Sequence, residues 1–383
     1  MKLLYTESTD RKNNLDFFRF ILAVTVVFSH AYVLYYGTAN YTEPLWVFSE
    51  KQVGFGTVAL NFFFIISGFL VLQSWDQNPD YLTFIKKRVL RIYPGFIVVC
   101  LLCAFVFAPL GNGIPIQPFQ NIRMYWAHIN VRELIHNILL LRYPVLPETL
   151  TGAPRPNVIN ASIWTIPYEF KCYLLIILLA FLNIYKNKFA LLIVYIFILI
   201  VNILHYKTYE LYNISGIVSP HLIPYFPSQK FMTILNLEHF LSFFLSGSFF
   251  YFYRNYIPRS ILLFLSSLFL LLISARWLGY FELVQPFFGS YILFYIAFSK
   301  KIKFYTFAKY GDFSYGFYLY GWPIQQLVLL YIGQQLSMTG NFIVSFSIIF
   351  IFSVLSWYLI EKPFLSLKER SISINFSYLK VRI

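Results

Sequence analysis

Apolar residues in this chain run together in long blocks instead of alternating with polar ones. Crossing the ~30 Å hydrocarbon core of a bilayer takes about 20 largely apolar residues. Ten stretches approach that length: 17–36, 57–75, 92–110, 162–184, 189–205, 237–253, 260–276, 282–299, 313–333 and 341–359. Such runs predict helices, because only a helix or a closed barrel satisfies its backbone inside lipid. The expected fold class is all-α, a polytopic membrane helix bundle of about ten transmembrane helices. One domain covers 1–370, and a short cytoplasmic tail follows at 371–383. Segments 111–161 and 206–236, rich in Pro, Asn and Tyr, are too long for simple connections. They predict a lid or half-inserted helices over a cavity that opens outward. Segment 134–142 is apolar but too short to cross.

Composition sharpens the class. Of 383 residues 58% are hydrophobic and only 12% charged, against about 25% charged in a soluble domain. A water-soluble enzyme and a disordered chain are both excluded. The formal net charge of +14 would suggest nucleic acid in a soluble protein. Here its placement points to topology instead, because cytoplasmic loops of membrane proteins collect Lys and Arg. Basic residues gather in 86–91, 300–309 and after 361, whereas Lys51, Arg123, Arg132, Arg142, Arg155, Lys207, Lys230 and Arg276 are scattered. Both termini are therefore expected in the cytoplasm, membrane lipid is the surrounding partner, and nucleic acid is not one. No cleavable signal peptide is expected, since the first apolar run is long enough to span. Cys100, Cys103 and Cys172 lie within apolar runs. Cys100-x-x-Cys103 lacks the second pair that zinc needs, so wall residues are expected and no metal.

Polar groups at membrane depth are costly and are functional candidates by default. Arg19 and His30 stand eleven residues apart in the first span, a rotation within roughly 20° of three full turns, so they share a face. Asp16, three residues before Arg19, is placed to pair with it. Taken alone, Arg19 also reads as a snorkelling anchor, and His30 as a satisfied interhelical hydrogen bond. Arg88 and Arg91 share a face at i,i+3, where two guanidinium forks suit phosphate. Stop-transfer charge accounts for Lys86 and Lys87. The fourth span opens with Asn160, Ser162, Trp164, Thr165 and Glu169. Counting from that boundary puts Glu169 about 10 Å deep, near the expected depth of His30. A carboxylate and an imidazole at one level can act as an acid–base pair. The ninth span carries Ser314, Tyr315, Tyr318 and Gln325, with Pro323 expected to free the Leu319 carbonyl. Packing explains its small residues equally well.

In order along the chain, these segments resemble the acyltransferase-3 family of integral membrane acyltransferases, from about Asn14 to Pro363. The family's Arg-x10-His corresponds to Arg19 and His30, and its Phe-Phe-x-x-Ser-Gly to Phe63, Phe64, Ser67 and Gly68. Arg-x-x-Arg corresponds to Arg88 and Arg91. Ser162, Trp164, Thr165 and Glu169 match a further motif, and Ser314, Tyr315 and Tyr318 the last. Gly321 departs from the family, many of whose members have His there. Some relatives add an extracytoplasmic esterase domain, for which the residues after the last span leave no room. The chain is thus expected to complete transfer itself or with a separate extracytoplasmic partner.

The resemblance implies acetyl-CoA or another acyl-CoA as co-substrate, no bound cofactor, and a hydroxyl of a surface polysaccharide or lipid-linked oligosaccharide as acceptor. The expected location is the bacterial inner membrane. Arg19, Arg88 and Arg91 are expected at the donor's phosphates. His30 would act as base with Glu169 orienting it, or be acylated itself. Asp16, Ser162, Trp164, Thr165, Tyr315, Tyr318 and Gln325 are expected to support the site or bind substrate. A transporter of polysaccharide or lipid-linked intermediates is the alternative that buried charges also permit.

Overall fold

A computed structural model of the chain describes residues 3–5, 13–37, 40–111, 125–144, 146, 150, 152–214 and 229–369. Each apolar stretch falls on helix: α1 (Leu15–Tyr36), α2 (Phe55–Gln77) and α3 (Tyr81–Leu102), then, after the short α4 (Val131–Leu139), α5 (Ile166–Phe181) and α6 (Lys188–Ile214). Next come α7 (Gln229–Phe252), α8 (Ile261–Ile273), α9 (Ser290–Ala297), α10 (Ser314–Ile332), α11 (Met338–Ser356) and the short α12 (Lys362–Ser366). Among the described residues six helical spans are long and apolar enough to cross a membrane, and Phe189–Leu204 and Phe281–Ala297 are shorter apolar helices. No strand occurs among the described residues, only an isolated bridge between Leu3 and Pro258. The protein is an all-α polytopic bundle.

Helix boundaries follow local chemistry. The Asp80 carboxylate accepts from the Thr83 N–H at 2.7 Å and caps α3, which starts a full eleven residues before the apolar run begins at 92. Lys86 to Arg91 are therefore helical, and Arg88 and Arg91 do share a face. Helix α6 continues to Ile214 and α7 starts at Gln229, so part of the segment expected as an outer loop at 206–236 is helix. The rest of that segment, residues 112–124 and the tail at 371–383 lie outside the described residues. The three cysteines are free and buried, as expected of wall residues.

The bundle's tightest joint is between α2 and α7. A Cβ on Gly68 would lie 1.8 Å from the Phe244 carbonyl oxygen, and one on Gly247 1.9 Å from that of Ile65. Backbone therefore meets backbone, and the Ser248 hydroxyl donates to the Gly68 carbonyl at 3.1 Å. Close approach of this kind is how small residues hold helices together where lipid offers no hydrophobic drive. On the other side α1 lies between α2 and α10, and α11 packs on α10.

The most unexpected path is that of residues 152–165, which descend along α10. Gly152 lies beside Leu330, the Arg155 N–H donates to Gln326, and both Gln326 and Trp322 donate to the Val158 carbonyl. The Asn160 amide then reaches the Leu319 carbonyl at 2.8 Å, and the Thr165 hydroxyl meets that of Tyr318. Non-helical backbone survives at this depth because side chains of α10 take up its polar groups. The Leu319 carbonyl that Pro323 was expected to leave free is thus occupied. Helix α5 starts well inside the bundle.

Candidate functional site

A cavity of about 350 Å³ opens between α1, α2, α3, α5 and α10 and the segment following α11. Its charged lining consists of Arg19, Arg88, Arg91 and Lys368 against Glu169 and Asp312. We refer to the end bearing these arginines as the basic end.

Asp312, two residues before α10, organises that end. The Arg19 and Arg91 guanidinium groups both donate to its Oδ2 at 2.7 Å, across 293 and 221 residues of sequence. Its Oδ1 accepts from the Ser314 N–H at 3.2 Å and from the Ser314 hydroxyl. Burial alone would raise its carboxyl, but the two arginines and Ser314 hold it well below the usual carboxylate range. Arg91 also faces the buried Glu361 at 3.8 Å. The wide π-turn at Trp357–Glu361 carries that carboxylate, and Trp357 lines the cavity. Such turns are rare and often mark functional sites. Asp16 lies 3.7 Å from Arg19, the pairing their spacing suggested.

Arg88 is held differently. Its guanidinium lies over the rings of Phe84 at 5.0 Å and Tyr173 at 5.3 Å, and its Nε is buried without a hydrogen-bond partner. The Tyr173 hydroxyl donates to Glu169, four residues earlier on α5. Tyr315 lies against Arg91 at 5.6 Å and donates to the Ile92 carbonyl at 2.9 Å. Thr165 and Tyr318 complete the lining farther from the basic end.

Seven of the sequence-derived residues thus line one space: Arg19, Arg88, Arg91, Thr165, Glu169, Tyr315 and Tyr318. His30 does not line it. The face it shares with Arg19 is the one turned to α10, where the imidazole meets the Trp322 ring edge-on at 5.0 Å. Among the described residues no hydrogen bond or ion pair joins His30 to Glu169, so their expected pairing is absent here. Ser162 is buried inside the bundle and is not a boundary residue from which the depth of Glu169 can be counted. Measured along α10, His30 is level with Trp322, Thr165 with Tyr318 about 6 Å nearer the basic end, and Glu169 about a further turn on. The His30 Nδ1 is buried and has no hydrogen-bond partner among the described residues.

Besides Asp16, already placed beside Arg19, three other candidates sit outside the cavity. Ser162 is buried with its hydroxyl unpartnered, Trp164 packs against Tyr168 and Phe240, and Gln325 donates to the Val27 carbonyl at 2.8 Å. On the far side of His30 is a group the motifs missed. Glu43 is fully buried and accepts from the Ser29 hydroxyl at 2.6 Å, from Tyr41 and from the Phe55 N–H at the start of α2. Burial pushes its carboxyl up. Also missed at the cavity were Asp312, Tyr173, Lys368 and, behind Arg91, Glu361. Tyr173 was readable as the i+4 neighbour of Glu169, and Glu361 as a lone carboxylate ending an apolar run. No group of His, Cys, Asp and Glu suited to a metal occurs among the described residues.

A sequence profile described as "Acyltransferase domain" matches residues 12–362. An "O-acetyl transferase" of Shigella phage Sf6 is 26% identical over 370 residues, covering 95% of this chain and 99% of its own length. "Nodulation protein 10" of Rhizobium leguminosarum bv. viciae is 28% identical over 170 residues, 44% of each chain. "Acyltransferase MdmB" of Streptomyces mycarofaciens is 26% identical over 138 residues, 33% of this chain and 31% of its own. No solved structure gives a significant match.

Proposed function

The chain belongs to the acyltransferase-3 family, and from that premise we propose that it moves an acetyl or similar acyl group from acyl-CoA to a hydroxyl of a surface or lipid-linked polysaccharide. The basic end then faces the cytosol of a bacterial cell and the opposite end the cell exterior. The observation that carries this reading is the single cavity joining a cationic mouth to a cluster of Glu169, Tyr173, Thr165 and Tyr318 inside the bundle. Its volume lies within the range of about 300–1,000 Å³ usual for small-molecule sites. A donor with anionic phosphates and a thin, extended, uncharged arm suits that gradient. Its phosphates sit among the arginines while the arm leads the thioester past Phe63, Phe64 and Tyr315.

In this reading the acceptor hydroxyl attacks the thioester carbonyl, a C–O bond forms, the C–S bond breaks, and the thiolate leaves toward the basic end. His30 takes the hydroxyl proton, and the unpartnered Nδ1 supports that role. Glu169, held by Tyr173, lies on the donor side of the acyl group. The Trp322 ring lies against the imidazole, so the acceptor reaches His30 once that contact opens.

The test is purified protein in lipid nanodiscs with acetyl-CoA and a lipid-linked glycan, read by mass spectrometry. The reading expects an added acyl mass on the glycan with stoichiometric release of thiol. A glycan that crosses proteoliposomes unmodified, with the thioester intact, would instead establish the transporter reading.

A further inference from the structure

The charges of the cavity do not balance, and the imbalance is localised. Asp312 is shared by Arg19 and Arg91, and Glu361 stands against Arg91 alone. These contacts account for two of the four cations that line the space. The other two are Arg88 and Lys368, neither of which makes an ion pair with a carboxylate among the described residues. Arg88 is fixed from behind by the rings of Phe84 and Tyr173, and the Glu169 carboxylate that Tyr173 engages attracts it from within the cavity without forming a direct ion pair. Lys368 lies in the single turn of 3-10 helix after α12, at Leu367–Glu369, where the chain folds back against α3.

We propose that Arg88 and Lys368 form a phosphate subsite at the mouth of the cavity, and that Arg91 and Arg19 serve to build its wall. This rests on the acyl-CoA reading above. Two cations without an ion-paired carboxylate call for an anion, and a phosphate ester of the donor supplies it with several strong acceptor oxygens. Arg88 offers a rigid fork and Lys368 a point charge on a flexible stem, a combination suited to gripping a phosphate that arrives and leaves.

Lys368 is crowded by like charge as well as half-buried. Burial, and then the like charges of Arg91, Arg88, Lys87 and Arg19, lower it to about 8. Asp312, Glu361 and Glu169 are the carboxylates around the cavity; the first two are engaged by Arg19 or Arg91, and Glu169 accepts from the Tyr173 hydroxyl. The free subsite therefore loses a positive charge as pH rises through about 8, and donor binding weakens with it.

The experiment compares wild-type protein with Lys368→Met and Lys368→Arg in nanodiscs of phosphatidylcholine alone. Each is assayed with acetyl-CoA and with acetyl-pantetheine, which has no phosphate. A charge-assisted hydrogen bond is worth about 1.5–3 kcal/mol, so Lys368→Met should raise KM for acetyl-CoA by about 10- to 100-fold at pH 7. Its kcat and its use of acetyl-pantetheine should be unchanged. Wild-type KM for acetyl-CoA should climb between pH 7 and pH 9, and Lys368→Arg, which stays protonated, should abolish that climb. Equal losses on both donors, or no loss on either, would overturn the subsite. So would a dependence on Lys368 that appears only when anionic lipid is added, because the site would then hold a headgroup. If wild-type protein consumes neither thioester, the failure is that of the acyl-CoA reading instead.

Discussion

At the basic end of the bundle the arginines are held by other side chains; around His30 the amides and the indole along α10 are held by backbone carbonyls. Arg19 and Arg91 converge on Asp312, and Arg88 is clamped between Phe84 and Tyr173. Near His30, Gln325 donates to the Val27 carbonyl, Trp322 and Gln326 to that of Val158, and Asn160 to that of Leu319. The first arrangement leaves an open space with surplus positive charge. The second fills its space with a length of chain. A donor site must stand ready for a soluble ligand that comes and goes, whereas a site for a large acceptor can stay closed by residues 152–161 until it is engaged. The difference therefore supports different access to the two halves of one reaction.

The sharpest challenge to this contrast is His30→Ala. A general base contributes about 10²–10⁴-fold, so acyl transfer should fall by about that factor. The elution profile and melting of the purified protein should stay unchanged, because His30 makes no hydrogen bond through Nδ1 that folding would miss. Full activity of the purified variant would remove the second region from the mechanism.

Asp312→Asn probes the first region. The side chains of Asp312, Arg91 and Arg19 are only 13%, 15% and 22% exposed, and breaking a buried pair from one side costs about 3–5 kcal/mol. Thermal unfolding in detergent should show a loss of that order. Because Asp312 titrates below the usual range when folded, its contribution is complete above about pH 4 and disappears as pH falls further. The variant should therefore lack that part of the acid limb that wild-type protein shows.

A smaller effect is expected of Asn160→Ala. Leaving the Leu319 carbonyl without its donor costs about 1–3 kcal/mol, and the descending segment should loosen. Faster hydrogen exchange confined to residues 152–161, with donor KM unchanged, would separate the two regions experimentally. Smallest of all is Trp322→Phe, which forfeits one hydrogen bond to Val158 worth about 1 kcal/mol while keeping an aromatic ring against His30. An effect on acceptor KM larger than on donor KM would place Trp322 on the acceptor's path.

The helices were legible because a span writes its length directly into the sequence. The shared face of Arg88 and Arg91 was legible too, since helical spacing fixes which side chains of one helix point the same way. Lateral position was not. Nothing local announces that Asp312 joins Arg19 and Arg91, because that contact exists only once helices far apart in sequence are side by side. The depth of Glu169 misled for a related reason: residues 152–161 are polar enough to read as an exposed loop, yet α10 supplies the partners that let them lie inside. Lys368 bore no pattern at all, and its place in the cavity follows from the chain turning back after α12.

The dovetail of Gly68 and Gly247 limits what this molecule can do when it works. At these two glycines bare backbone meets carbonyl, and along the same joint Phe64 stacks on Phe240, Phe69 meets Tyr251 edge-on and His239 bonds Asn61, so α2 and α7 are locked by backbone and side chains alike. They move as one post. Any parting that lets a glycan in must then be made by the elements around α1 and α10, which swing relative to that fixed pair, and the thioester channel keeps one unmoving wall throughout the cycle.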